Sequence, residues 1–383
     1  MPNGNYLWIN LFATSLKPGG RAALVMANSA SDARHSEADI RRTLIENNLI
    51  YGMLTLPSNL FYTVTLPATL WFFDKGKDGS RGDERVLFID ARNIFTQVDR
   101  AHRELSNEQI QNIAVIPRLH KGRRHEFVAL VDSHLRQGLA RLLENQAHIP
   151  KLADALLKVL AQDAGDADAL AAGRQAVDEL RAQWRSLEAL ADAQGAYFKK
   201  HAACGAGSRA ATIDAKNAAQ RELRALFSPF FAALHAGLKA LDKAIREMDK
   251  RRAEAAKAAG KRGGGDRETR GVKDAVQALH DEVKTAESFY LHVSWLQERF
   301  PNAAYEDVTG LCKLATRAEI EEQDWSLNPG RYVGVVIEED GKTEEEFLST
   351  VADARDELVD LADAARRLEA AVDANLRAIV SAF

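Results

Sequence analysis

Two apolar runs decide the fold: Tyr51-Gly52-Met53-Leu54-Thr55-Leu56 and Ala68-Thr69-Leu70-Trp71-Phe72-Phe73, parted by the segment Pro57–Pro67. Each run has strand length and is rich in residues that suit a pleated surface. The segment between them is too short to hold a helical crossover, so the two strands are expected to pair antiparallel. Upstream, Ala22–Met26 is a continuous apolar run, the pattern of a parallel strand covered on both faces. Downstream, Val86–Ile89 reads as a further strand. Asn5–Leu16 reads as a helix with Leu7, Trp8, Leu11 and Phe12 on its buried face, ended by Gly19-Gly20. Ser36 reads as an N-cap with Asp39 at the capping-box position, opening a helix that turns Ile40, Leu44 and Ile45 inward. Strands alternating with helices at this spacing indicate an α/β domain over residues 1–115.

From about Ser106 the composition shifts. Residues 151–228 and 230–300 contain no proline, and Ala, Leu, Glu, Lys and Arg dominate. Leu152, Leu156, Leu157 and Leu160 recur at helical spacing, as do Leu180, Trp184, Leu187 and Leu190, and after Gly205-Ala206-Gly207 the pattern resumes at Leu223, Leu226 and Phe227. Two or three long helices paired as antiparallel hairpins are expected, then a polar turn at Gly260–Gly265 and a helical stretch Val272–Arg299. Residues 116–300 are thus a helical block and 301–342 an irregular connector. The last stretch, 343–383, carries Phe347, Val351, Ala354, Leu358, Leu361, Ala365, Leu368, Val372, Asn375 and Ile379 in alternating steps of four and three, a heptad seam with one polar position. Such a stripe needs a partner, which is either this chain's own helices or another subunit.

The chain has 383 residues and a net charge of −4, so no global basic field draws it to nucleic acid, and any such contact must be local. Its two cysteines, Cys204 and Cys312, are far apart, which argues against a disulfide framework or a zinc site and favours a reducing, cytoplasmic setting. No signal peptide is read at the N-terminus, and the apolar runs are too short to span a membrane.

Several segments together resemble the modification subunit of type I restriction–modification systems, of the N-6 adenine DNA methylase family: Asn5-Tyr6-Leu7-Trp8-Ile9, Leu16-Lys17-Pro18-Gly19-Gly20-Arg21-Ala22, Ala27-Asn28, Leu56–Tyr62, Leu66–Phe72, Phe88–Asn93, Asp99–Leu105 and Asn328-Pro329-Gly330-Arg331-Tyr332-Val333-Gly334. The likeness covers roughly residues 5–115 and 300–383, with the helical middle as an insertion. It implies a Rossmann-like methyltransferase sheet of seven strands, one of them antiparallel, present here as its second half. It implies transfer of a methyl group from S-adenosyl-L-methionine to N6 of adenine in DNA, with a DNA-specificity subunit as partner. The family's glycine-rich cofactor turn and its Asn-Pro-Pro-Phe tetrapeptide are not in this sequence, which holds no Pro-Pro pair. Asn328–Tyr332 lacks the second proline and is rejected as a catalytic motif. No cofactor-binding, catalytic or metal residue is therefore assigned, and the chain alone is expected to be inactive.

The resemblance places Phe61 and Tyr62, with Asn59, at the wall of the target-base pocket, where an extruded adenine stacks. The competing reading is that both rings merely cover the end of the sheet. Asn93, Arg100, His102 and Arg103 are candidates for DNA contact, as are Arg123 and Arg124 in a basic cluster with Arg118 and Lys121. Solvated loops and faces are the alternative for all of them. Lys250-Arg251-Arg252 and Lys261-Arg262 share that reading. If the family strand order holds, Ala22–Met26 would have to pair with a strand this chain does not encode, leaving an open edge for a separate polypeptide to fill. Two functions are weighed: a subunit of an adenine-specific methyltransferase, or a truncated or split-gene helical scaffold that binds the specificity subunit.

Overall fold

The computed structural model describes residues 4–77, 84–145, 148–162, 167–258 and 267–335, with scattered positions between 355 and 372. It divides into two compact units, Met1–Gly334 and Val335–Phe383.

In the first unit, helix α1 (Gly4–Ser15) leads into β1 (Arg21–Ala27), α2 (Ser36–Glu46), β2 (Ile50–Thr55), β3 (Ala68–Asp74) and β4 (Val86–Asp90). A small hairpin, β5 (Thr96–Gln97) with β6 (Arg103–Glu104), precedes helices α3 (Asn107–His120), α4 (Arg124–Asn145), α5 (His148–Gln162), α6 (Ala167–Lys200), α7 (Ala210–Ala258) and α8 (Arg267–Arg299). The chain then returns as β7 (Cys312–Ala315) and α9 (Arg317–Glu322). The main sheet is mixed, in the order β1-β3-β2-β4-β7. As the short Pro57–Pro67 segment requires, β2 and β3 are antiparallel, and β2 runs parallel to β4.

Two cores sandwich this sheet. On one face Leu54, Leu87 and Ile89 pack with Ile113 and Val115 of α3 and Phe127 of α4. On the other, Met53, Trp71 and Phe88 pack with Tyr6 and Ile9 of α1, Leu44 and Ile45 of α2, and Tyr332 of the returning segment. Ile40, expected inward, is half-buried.

Four expectations need correction. Helix α1 buries Tyr6, Ile9 and Ala13, whereas Leu7 and Trp8, at 58% exposed each, and Leu11 face outward. Both sides of this helix are apolar, so spacing alone does not say which side meets the sheet. Strand β1 is not covered on both faces: it pairs antiparallel with β3, sits at the sheet's end, and leaves Ala23 and Val25 exposed. Ser36 lies inside α2. The cap position belongs to His35, at φ 65, which makes no side-chain cap bond. Residues 301–342 are not merely an irregular connector, because β7 adds a strand to β4 and Tyr332 stacks on Phe88 at 3.9 Å.

The return is fastened further by Arg41, a fully buried cation. Its Nε donates to the Trp325 carbonyl at 2.7 Å and its Nη1 to the Tyr6 hydroxyl at 2.5 Å. Cys312 is buried in β7, and desolvation pushes its thiol up to about 11. In the native protein Cys312 should therefore react with a thiol reagent far more slowly than the half-buried Cys204. Peptide mapping after brief labelling at neutral pH checks this, and equal labelling would mean that β7 is not docked.

The long members of the helical block are α6, α7 and α8. Leu156, Leu180, Trp184, Leu187 and Leu223 are buried, while Leu226 is exposed. Helix α7 alone, at 49 residues, is about 74 Å long. Pairs of His235 with Glu287 (2.7 Å) and Asp242 with His280 (2.9 Å) show that α7 and α8 run antiparallel. Asp132 on α4 accepts from Lys216 (2.6 Å) and Gln220 (2.7 Å) of α7 and from the Tyr197 hydroxyl (2.7 Å) of α6, so a half-buried carboxylate is partnered where three helices meet. The Gly260–Gly265 turn lies outside the described residues.

In the second unit, Leu358, Leu361, Leu368 and Val372 are helical and exposed, and Ala365 is helical. The rest of the heptad seam, Asn375 included, lies outside the described residues.

Candidate functional site

Strands β1, β2 and β4 point the same way, since β1 and β2 both oppose β3 and β2 parallels β4. Their C-terminal ends, Ala27, Thr55 and Asp90, therefore line one edge of the sheet, where open α/β sheets present ligand sites. Two loops rise from that edge. The first joins β2 to β3, and its root is closed by Leu56 N–H donating to the Ala68 carbonyl at 2.8 Å. Asn28, just after β1, is tied there too: its N–H reaches the Pro67 carbonyl at 3.3 Å and its Oδ1 accepts from the Thr69 hydroxyl at 2.7 Å.

The root of this first loop lies against the core, with Pro57 buried and Leu60 packed on it, while its tip stands out. Tyr62 is 91% exposed and Phe61 41%, with Val64 and Leu66 also exposed. A cluster of exposed apolar side chains on a loop is the usual mark of a binding surface. Phe61 and Val64 close a tight turn through a 3.1 Å hydrogen bond, and Asn59 takes the left-handed conformation at φ 58, which asparagine tolerates.

The second loop follows β4 and carries the β5–β6 hairpin. Its residues meet the first loop directly. The Arg103 N–H donates to the Asn59 carbonyl at 3.0 Å, Arg103 Nη1 to Ser58 Oγ at 2.9 Å, and the His102 ring lies 5.0 Å from Tyr62. The His102 imidazole and the Ala101 N–H hold the Asp99 carboxyl below the usual range. Asn93 and Arg100 are exposed on the same loop. Phe61, Tyr62, Asn59, Asn93, Arg100, His102 and Arg103 thus gather at one edge. The clamp between the loops was not legible in the sequence, because its contacts join residues some 45 positions apart.

The remaining candidates lie elsewhere. Lys121 sits 4.5 Å over the Tyr51 ring, at the start of β2, while the first loop leaves its end. A six-residue strand separates the two by about 20 Å. Arg118 and Arg123 both reach Glu126, at 3.1 and 3.2 Å, and with Lys121 they rim an apolar cleft of about 260 Å³ floored by Phe72 and Leu87. Arg124 is committed internally, donating to the carbonyls of Ala303 (3.0 Å) and Asn302 (2.6 Å) and to Asp214 (2.5 Å). The basic cluster is therefore a different surface from the aromatic loop, and Arg124 is a strut within the helical block. Arg252 donates to the Val159 carbonyl at 2.9 Å, and Lys261-Arg262 lies outside the described residues.

Residues 1–133 match the N-6 DNA Methylase family. The match covers the N-terminal third of the chain. This segment is similar to the type I restriction enzyme MjaIX methylase subunit of Methanocaldococcus jannaschii, 45% identical over 115 residues, which is 29% of this chain and 20% of that protein. It is also similar to the HindI methylase subunit of Haemophilus influenzae, 37% identical over 113 residues, which is 29% of this chain and 25% of that protein. The chain thus spans a fifth to a quarter of the length of these relatives. Among solved structures, the type I methyltransferase subunit from Streptococcus thermophilus is 24% identical over 29% of this chain and 23% of its own, with a TM-score of 0.27, too low to bear on the fold.

S-adenosyl-L-methionine is the methyl donor this family implies, and the described residues do not fit it. Such a cofactor needs backbone to approach closely through a glycine turn at the C-terminal strand edge. Gly19, Gly20 and Gly76 lie at the opposite edge and Gly52 within a strand, while Gly330, near the C-terminal end of β4, sits in a turn where an added Cβ would meet the Arg92 guanidinium at 2.9 Å. Three carboxylates near the C-terminal edge are also taken: Asp90 by Arg92 at 2.6 Å, Asp32 by Arg331 at 2.9 Å and Asp99 by His102 at 2.7 Å. Asn328, whose Oδ1 accepts from the Gly330 N–H at 3.2 Å, caps a turn packed against the sheet.

Proposed function

We propose that this chain is the base-facing portion of an adenine-N6 DNA methyltransferase of the type I restriction–modification kind, and that its methyl-donor half is a segment outside these 383 residues, on the same or a separate chain. The observation that carries this is the unfinished edge of an N-6 DNA methylase sheet. Among the described residues no strand pairs with the outer side of β1, and the apolar side chains of Leu7, Trp8 and Leu11 on α1 and of Ala23 and Val25 on β1 face outward beside it. Unpaired backbone flanked by apolar surface is a surface for strand addition.

On this reading Phe61 and Tyr62, with Asn59, wall the pocket for the extruded adenine, and Asn93 and Arg100 approach the DNA backbone. The seam in residues 343–383 docks on the specificity subunit, and the complex works in the cytoplasm. Mixing this chain with the specificity subunit and a polypeptide carrying the glycine turn and the Asn-Pro-Pro-Phe tetrapeptide should give S-adenosyl-L-methionine-dependent methylation of adenine. Tyr62→Ala should lower that activity roughly tenfold, the stacking of one base contributing about 1–3 kcal/mol. A complex that assembles but never methylates would leave the scaffold reading instead.

A further inference from the structure

The Pro57–Pro67 loop has little to hold its shape. Leu60 packs against the core, but Phe61, Tyr62, Val64 and Leu66 at its tip are exposed, and the chain reverses at the left-handed Asn59. An exposed segment of this kind loses substantial conformational entropy when it is ordered. What fixes it comes from the second loop, and resting on the base-wall reading above, we propose that Arg103, seconded by the Asp99–His102 pair, is the positioning residue that holds Phe61 and Tyr62 in their base-facing conformation.

Arg103 grips the loop twice: its N–H donates to the Asn59 carbonyl at 3.0 Å and its Nη1 to Ser58 Oγ at 2.9 Å. The guanidinium is itself locked, with Nε donating to Gln97 Oε1 at 3.1 Å and its plane 4.0 Å over the Phe95 ring. A planar fork that donates on two sides and stacks on an aromatic is a task lysine cannot copy. Beside it, the His102 ring meets Tyr62 at 5.0 Å. Asp99 sets that imidazole by accepting from Nδ1 at 2.7 Å, while its other oxygen takes the N–H groups of Ala101 (2.7 Å) and His102 (2.9 Å). The hairpin is rooted in turn by the capping box of α3, where Ser106 Oγ accepts from Gln109 N–H and Gln109 Oε1 from Ser106 N–H. Rigidity therefore passes from a helix, through a two-stranded hairpin, to the aromatic loop.

The alternative for Arg103 is a phosphate contact, and the two roles separate cleanly. In the assembled methyltransferase, Arg103→Ala, Arg103→Lys and wild type are compared by hydrogen exchange over residues 57–66, by steady-state kinetics, and by the salt dependence of DNA binding. Positioning predicts that Ala and Lys behave alike. Exchange in 58–64 rises at least tenfold, kcat falls roughly tenfold to hundredfold with the cofactor KM unchanged, and the salt slope stays as in wild type. A lysine variant that matches wild type, with a slope lowered by about one in the alanine variant, would overturn it in favour of a phosphate contact. Unchanged exchange in both variants overturns the clamp and leaves the base-wall reading standing. Faster exchange with full kcat keeps the clamp and removes the base-wall reading.

Discussion

Phe88→Ala should destabilise the first unit by about 3–5 kcal/mol, the cost of deleting a large, fully buried aromatic. Phe88 has no exposed surface, sits in the strand that β7 joins, and stacks on Tyr332 at 3.9 Å and 12°. Its loss leaves a cavity between the sheet and the returning segment. The fall in urea midpoint should thus come with faster proteolysis between residues 301 and 334. Tyr332→Phe keeps the stack and removes only the hydroxyl's hydrogen bond to the Ser326 carbonyl, so it should cost about 1 kcal/mol. Equal effects of the two variants would mean that the stack is not what docks the return.

Acid should weaken the helical block in a defined window. His134 is fully buried on α4, where desolvation, with His292 adding to it, holds the imidazole down to about 4, against a smaller opposing pull from Glu108. The geometry explains the direction. Asn112 Oδ1 lies 3.0 Å from His134 Nε2, its Nδ2 lies 3.1 Å from His292 Nδ1, and His134 Nδ1 has no partner among the described residues. A second proton on His134 would have no acceptor and would face His292 across 5.5 Å between ring centres. A histidine whose folded value is depressed contributes stability that is complete above the unfolded value near 6.5 and is lost as pH falls toward 4. The loss here amounts to about 3 kcal/mol. His134→Gln keeps a donor toward Asn112 and cannot titrate, so the loss across that window should shrink to what the other histidines held down by burial, His292 foremost, contribute. Lys313 and the Thr316 backbone hold Glu319 at about 2, so its contribution disappears only below the ordinary glutamate range and does not confuse the measurement.

The strands at 50–55, 68–74 and 86–90 were legible because each is a compact apolar run between turn residues. Strand β7 was not: Cys312-Lys313-Leu314-Ala315 has no apolar run, and its extension comes from pairing with β4, more than two hundred residues away. Helix α1 was legible as a helix but not in orientation, because Tyr6, Ile9 and Ala13 on one side are matched by Leu7, Trp8 and Leu11 on the other. Of the site, the aromatic loop was visible in its residues. The separation of Arg118, Lys121, Arg123 and Arg124 from it was not, since a cluster of charges in sequence says nothing of which end of a strand it occupies. Arg103 reads as one more cation until the fold brings Ser58 and Asn59 to it.

The claim that joins these observations is that β1 ends this sheet only because its neighbour lies outside the 383 residues. Hydrogen exchange of the Arg21–Ala27 amides that do not donate to β3 tests it most directly. Those amides should exchange freely in this chain alone and slow at least a hundredfold once the polypeptide carrying the cofactor turn is bound. Equal exchange with and without that polypeptide would contradict the account.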